Sequence, residues 1–245
     1  LPPEFDGYRI ALYSDIHAPR DISKENAQRA VQMAIGFRPD LIVITGDFVA
    51  QPKGTHWVPK LQDYFLGLEA PDGVYGVLGN HDHWTDAVEV ERRILKDTSI
   101  QLLHAKHITL KRGSSKLIVG GVNDLWCGNT DVDQALEGAD RAIPRILLSH
   151  NPDLAEVSTA KARVDLMLSG HTHGGQIRVP FGPAIHTPSN FGDKFAQGLV
   201  QGKRYRVFVT RGICSSFHAR FMCRPEVVGI TLRRMNPNEA DSWAE

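Results

Sequence analysis

Leu41-Ile42-Val43-Ile44-Thr45-Gly46-Asp47 is a continuous apolar, largely β-branched run that stops at a glycine and a carboxylate. No polar residue alternates with the apolar ones, so the run reads as a strand buried on both faces, inside a parallel sheet. The same plan recurs along the chain. Arg9–Ser14 leads into Asp15-Ile16-His17, and Val74–Leu78 into Gly79-Asn80-His81-Asp82. Arg145–Ser149 leads into His150, and Val164–Ser169 into Gly170-His171-Thr172-His173. Leu117–Val122, Arg206–Thr210 and Val227–Leu232 read as further strands. Asn26–Phe37 has helical spacing, with Ala27, Ala30, Val31, Ala34 and Ile35 on one side. Strands alternating with helical stretches predict α/β layers, with the polar clusters just beyond the C-terminal strand ends where open sheets bind ligands. The later strands lie closer together, which predicts a second, mixed or antiparallel sheet. Gly174–Gly202, rich in Gly, Pro and Asn, is expected to be a long loop system.

The whole chain sets bounds on this reading. Its 245 residues suffice for one domain with a full core, taken as 1–235, followed by a polar tail over 236–245. Lys and Arg number 28, as do Asp and Glu, so the formal charge is zero and no phosphate track for a long nucleic acid is indicated. No apolar stretch is long enough to span a bilayer. The chain starts at Leu1-Pro2-Pro3 without an initiator methionine, which reads as a processed or truncated start. A signal peptide or membrane anchor removed from such a start would allow peripheral membrane association, and the cytoplasm is the alternative. Cys127, Cys214 and Cys223 form no disulfide framework; a bridge between Cys214 and Cys223 is conceivable in an exported protein, but three unpaired thiols are expected. Nothing indicates the oligomeric state.

The clusters carry metal-binding chemistry. Singly, each has an ordinary explanation: an Asx turn for Asp15, a helix or turn cap for Asp47, a hydrogen-bonded structural imidazole for any one histidine. Together, Asp15, His17, Asp47, Asn80, His150, His171 and His173 supply seven donors at strand ends. Hard oxygens mixed with imidazoles suit Mn²⁺ first, with Fe, Zn²⁺ or Ni²⁺ as alternatives. Asp15 and His17 are one residue apart, a spacing that in an extended segment turns both side chains to one face. The Asp47 carboxylate has two oxygens and can bridge two cations. Asn80 is a neutral oxygen donor, and His81 beside it is free to face a substrate, with Asp82 expected to orient it in a His–carboxylate pair.

In this order, Asp-x-His, Gly-Asp, Gly-Asn-His-Asp, a later His and Gly-His-x-His resemble the motifs of the calcineurin-like binuclear metallophosphoesterases, from Asp15 to His173. The resemblance implies a four-layer α/β/β/α sandwich with two central mixed sheets and metals at the sheet edge. It implies one ion held by Asp15, His17, Asp47 and His173, and another held by Asp47, Asn80, His150 and His171. The reaction it implies is hydrolysis of phosphodiesters, with a bridging hydroxide attacking phosphorus in line between two cations about 3.5–4 Å apart. His81 is then the proton donor to the leaving group.

Gly174-Gly175-Gln176, Thr210-Arg211-Gly212 and Arg224-Pro225-Glu226 are similar to a branch of Tat-exported or membrane-anchored bacterial phosphodiesterases, related to chlamydial-type UDP-2,3-diacylglucosamine pyrophosphohydrolases, a resemblance that implies the bacterial cell envelope. The dedicated UDP-diacylglucosamine hydrolases have Arg where His81 stands, and Ala18-Pro19 replaces a frequent Leu-Gly. The substrate is therefore read as a small phosphodiester, lipid- or nucleotide-linked. A pyrophosphohydrolase releasing UMP and a non-catalytic protein-binding scaffold are the alternatives. Trp57, Trp84, Phe181, Phe191, Phe217, Phe221 and Met222 are candidates for an apolar rim, though core anchoring is their commoner role. His83, His186 and His218 could reach the site mouth, and Arg211 and Arg220 could clamp a second phosphate or serve in structural ion pairs.

Overall fold

The computed structural model of the chain describes residues 1–19, 22, 24–50, 58–128, 130–214 and 219–234. Trp57, Phe217, His218 and the 236–245 tail lie outside the described residues. The first half of the chain forms β1 (Arg9–Tyr13), β2 (Ala18–Pro19), α1 (Lys24–Gly36), β3 (Leu41–Ile44), β4 (Val49–Ala50), β5 (Val74–Gly76), α2 (Asn80–Asp97) and β6 (Gln101–Leu102). The second half forms β7 (Lys106–Arg112), β8 (Ser115–Gly121), α3 (Val132–Ala135), β9 (Arg145–Leu148), α4 (Leu154–Val157), β10 (Leu166–Ser169), β11 (Gly198–Gln201), β12 (Arg206–Val209) and β13 (Val228–Thr231).

Two mixed sheets result, in the orders β13-β1-β3-β5-β6 and β11-β12-β10-β9-β8-β7. The inner strands run parallel, with Ile10 beside Leu41 and Ile42 beside Val74 in one sheet, and Ile146 beside Leu166 in the other. Antiparallel β13, β11 and β7 form three of the four edges and parallel β6 the other.

Period-two alternation within apolar strands assigns each side chain to one of three cores. Leu41 and Val43 join Ile10, Leu12, Leu148 and Leu168 between the sheets. Their neighbours Ile42 and Ile44 pack outward on Ala27, Val31 and Ala34 of α1 and on Val90 and Ile94 of α2. Leu147, Met167 and Val207 face α3 and α4 through Val132, Ala135, Leu154 and Ala155. The layers are thus α/β/β/α, as expected. Burying each such side chain contributes about 1.5–3 kcal/mol, so moving one sheet off the other is heavily disfavoured.

The short elements β2, β4, β6, α3 and α4 were not anticipated, and three further elements also depart from the sequence reading. Helix α2 was not anticipated because its first buried positions are Asn80, Asp82 and Thr85, and only Val90 and Ile94 continue an apolar stripe. It is also interrupted at Asp86, whose extended backbone (φ −172°) breaks the helix and whose Oδ1 accepts the Glu89 N–H at 3.1 Å. Strand β7 is a largely exposed edge, so it lacks a continuous apolar run. Strand β11 falls within the stretch expected to be all loop; it pairs with β12 and is likewise half exposed.

Candidate metal centre

Each polar cluster follows the C-terminal end of a parallel strand: Asp15 and His17 after β1, Asp47 after β3, Asn80 after β5, His150 after β9, His171 and His173 after β10. All seven are buried. The expected extended presentation of Asp15 and His17 is not what the fold uses. Asp15, His17, Asp47, His171 and His173 all adopt left-handed backbone, with φ between 52° and 73°. Each costs about 1 kcal/mol or more for a residue with a side chain. Repetition of that strain at five neighbouring residues marks a place where geometry is held for function rather than stability.

Two glycines let the loops close. A Cβ on Gly79 would lie 2.2 Å from Asp47 Oδ1, and one on Gly170 would lie 2.1 Å from Ser14 Oγ. Any larger residue at these positions would push the clusters apart.

Ligand atoms of Asp15, His17, Asp47 and His173 lie within 4.8 Å of one another, forming one candidate ion site. His173 Nε2 stands 3.5 Å from Asp15 Oδ1, and His17 Nε2 stands 3.3 Å from Asp47 Oδ2. Beside this group, His150 Nε2 is 3.3 Å from the same Asp47 Oδ2, 3.1 Å from Asn80 Oδ1 and 3.1 Å from His171 Nδ1. All seven expected donors are therefore brought together in two adjoining groups that share Asp47.

The surrounding hydrogen bonds orient the rings. His150 Nδ1 lies 2.6 Å from the Thr45 carbonyl and His173 Nδ1 lies 2.9 Å from the Cys214 carbonyl. Each carbonyl accepts the Nδ1–H, leaving Nε2 as the inward lone pair, the usual arrangement of a metal-ligating histidine. Three further acceptors then converge on His150 Nε2, a contact that only a proton or a metal cation can make attractive.

The electrostatics fit a cation. Asp15 and Asp47 are buried to 0% and 1% exposure, and among the described residues neither is paired with Lys or Arg. A buried carboxylate without a cation is strongly unfavourable, so the pair calls for positive charge from outside the chain. Without metal, a proton partly fills that role. Burial opposes a charged His150, but the Asp47 carboxylate outweighs it and lifts the imidazole to about 10. Burial likewise pushes His173 down to about 4 and His171 well below the ordinary range, keeping both neutral and able to ligate. His171 Nε2 is buried with no hydrogen-bond partner.

His81 sits on the first turn of α2 and is partly exposed. Its backbone N–H donates to Asp47 Oδ1 at 2.9 Å, and its ring lies 4.7 Å from that of His17. Burial lowers its pKa. Asp82 does not orient that ring, contrary to expectation. Its two oxygens accept the Gly79 and Val49 N–H groups, each at 2.9 Å, so it caps α2 and ties the helix to β4. Burial and the Asp47 charge raise its pKa to about 7.

Of the two readings for Arg211 and Arg220, the structural one is what the fold shows. Arg211 Nε donates to Glu226 Oε2 at 2.9 Å, while Arg220 donates to the carbonyls of His173, Arg211, Cys214 and Cys223. No disulfide joins Cys214 to Cys223. Of the expected aromatic rim, Trp84 meets the site, 4.9 Å from the His81 ring; Phe181 is fully exposed, and Phe191 packs on Phe195. Trp126, not anticipated, stands 4.4 Å from the His171 ring. Its position after the apolar run Leu117–Val122, a strand end like the others, was the available signal. The carbonyls of Thr45 and Cys214 had none, because every residue carries one.

Comparison with known proteins agrees with this chemistry. Residues 8–175 match the calcineurin-like phosphoesterase family. The chain is 32% identical to the uncharacterized metallophosphoesterase YkuE of Bacillus subtilis over 239 residues, covering 96% of this chain and 82% of that one. It is 30% identical to phosphodiesterase YaeI of Escherichia coli, covering 92% and 82%. It is 27% identical to the UDP-2,3-diacylglucosamine pyrophosphatase LpxG of Chlamydia muridarum, covering 93% and 85%. With a buried Asp/His cluster suited to metal at the edge of two mixed sheets, the chain belongs to the calcineurin-like phosphoesterase family and is a metal-dependent phosphoesterase.

Proposed function

We propose that the protein hydrolyses phosphodiesters at a centre of two divalent transition-metal ions, Mn²⁺ being the first choice. The carrying observation is the position of Asp47 Oδ2, 3.3 Å from Nε2 of both His17 and His150, which places this carboxylate between the two donor groups so that it would serve both ions. Asp15, His17, Asp47 and His173 would hold one ion, and Asp47, Asn80, His150 and His171 the other. When bound, the pair would supply an acidified water as nucleophile and positive charge for the phosphoryl oxygens.

The chain's own residues do the rest. His81 is fastened through its N–H to the shared carboxylate, so its ring stands beside the reaction centre while remaining partly open to solvent. From there it can donate a proton or hydrogen bond to the departing oxygen. Asp82 is a positioning residue: it fixes the turn that carries Asn80 and His81. Similarity to phosphodiesterase YaeI supports a diester substrate. Similarity to LpxG supports a second reading, cleavage of a nucleoside-diphosphate lipid with release of a nucleotide.

Metal analysis together with assays on a bis-aryl phosphodiester, a phosphomonoester and a UDP-sugar lipid separates these readings. Diester turnover that depends on two metal equivalents is expected. Rapid nucleotide release without diester turnover would replace the first reading with the second. Metal binding without turnover of any phosphoester would indicate a binding scaffold.

A further inference from the structure

Two tryptophans at the mouth of the centre are unused by this chemistry. Trp84 lies on α2 and Trp126 on the loop after β8, and they remain 37% and 45% exposed. Their rings are near-parallel, at 21° with centroids 6.4 Å apart. The pair is joined at both ends to the metal centre: Trp84 meets His81 edge-on at 4.9 Å, and Trp126 meets His171 edge-on at 4.4 Å. Beyond these, His81 contacts the His17 ring at 4.7 Å and His171 contacts the His150 ring at 4.9 Å. An aromatic arc thus runs from one candidate ion position to the other.

Both tryptophans are held in place, one through its side chain and the other through its backbone. The Trp84 side chain hydrogen-bonds Cys127, and the backbone N–H of Trp126 donates to Asp124 Oδ1 at 2.9 Å, which fixes the turn that carries the indole. Asp124 is itself fully buried. A flat, fixed π surface beside a phosphate site costs little ordering on binding and suits a planar ring better than a flexible chain.

We propose that Trp84 and Trp126 form a subsite for a planar aromatic group of the substrate, with a nucleobase as its biological form. This deepens the phosphodiesterase reading and rests on it: the phosphorus would lie over the metal centre while the ring stacks against the indoles. It also accounts for two large apolar side chains kept in contact with water at one spot.

The test compares thymidine 5′-p-nitrophenyl phosphate with methyl p-nitrophenyl phosphate, which share a leaving group. The metal-loaded protein is expected to favour the nucleoside diester in kcat/KM. Trp84→Leu and Trp126→Leu should each reduce that preference about tenfold, the scale of one base–aromatic stack, and Trp126→Phe should restore part of it. Taking the ratio cancels any general loss from disturbing His81 or His171. Indole fluorescence gives a readout independent of turnover: UMP should quench it at lower concentration than glycerol 3-phosphate. An unchanged ratio in both Leu variants, or equal quenching by the two phosphates, would overturn the subsite. Failure to turn over either diester, with selective UMP quenching, would instead reject the phosphodiesterase reading and keep the subsite.

Discussion

The two sheets meet at the site with unlike contributions. The edge of the first sheet presents Asp15, His17, Asp47 and Asn80, mostly oxygen donors, and the edge of the second presents only imidazoles, His150, His171 and His173. The first sheet is backed by helices of 13 and 18 residues, whereas α3 and α4 on the second have four residues each. Negative charge therefore comes from one side and neutral, oriented donors from the other. Hydrogen bonds cross between them: the His171 N–H donates to both Asp15 oxygens at 3.2 Å, and His150 is oriented by the Thr45 carbonyl. Neither edge alone is a metal site, so the centre exists only once the core between the sheets has packed.

This contrast can be broken most severely at Asp47, where the two halves share an atom. Asp47→Asn should drop turnover to background and lower metal content for both ions, measured by elemental analysis. His150→Ala should instead leave one equivalent of metal on the Asp15, His17 and His173 side; loss of both would show that the halves are not separable. His81→Ala should lower turnover by about 10²–10⁴, the usual range for removing an acid–base group, with metal content retained. Equal metal loss would make His81 a ligand.

A smaller effect is expected from the second sheet's support. Arg220 gathers four carbonyls around His173, so Arg220→Met should weaken metal binding about 10–100-fold, as loss of a residue supporting a ligand commonly does. Arg220→Lys should recover little, because an ammonium cannot span the same carbonyl fork. Competition against a graded chelator reads this directly.

The smallest effect concerns protons. In the metal-free protein, His150 has a folded value of about 10 against 6.5 for a free imidazole. A folded value above the unfolded one contributes stability that is complete below the unfolded value and is lost as pH rises through the folded one. Asp82, raised from 3.8 to about 7, acts with the same sign at lower pH. The chelator-treated protein should therefore lose Tm between pH 6.5 and 10, while the metal-loaded protein changes less across that interval. Loading at pH 8 should release about one proton per chain, detected by calorimetry in buffers of different ionisation enthalpy. Absence of proton release would mean that His150 is already neutral.

The legible parts of the chain were those with a local physical signature. Leu41–Ile44 and Arg145–Leu148 are apolar enough to be buried strands in any context, and the clusters after them announce themselves by residue type. Helix α2 was hidden because the side chains it buries first are Asn80 and Asp82, placed inward by the site rather than by hydrophobicity. Asp82 illustrates the limit. Sequence adjacency suggested a partner for the His81 ring, but the fold brought Val49, 33 residues away, within reach of its carboxylate. Arg211 and Arg220 were open to phosphate binding or to structural pairing, and only the fold, with Glu226 and four carbonyls around them, decided for the second.

The amino-acid sequence by itself determined the layer type, the strand ends that carry polar clusters and the seven candidate donors that the fold brings together. These follow from hydrophobic runs and from residue types that few structural roles explain together. Tertiary structure alone decided that one oxygen of Asp47 faces both groups and that His150 and His173 turn Nε2 inward. It also decided that Trp84 and Trp126 stand together at the mouth. Those facts depend on two sheets meeting and on carbonyls that every residue possesses, so no local pattern could encode them.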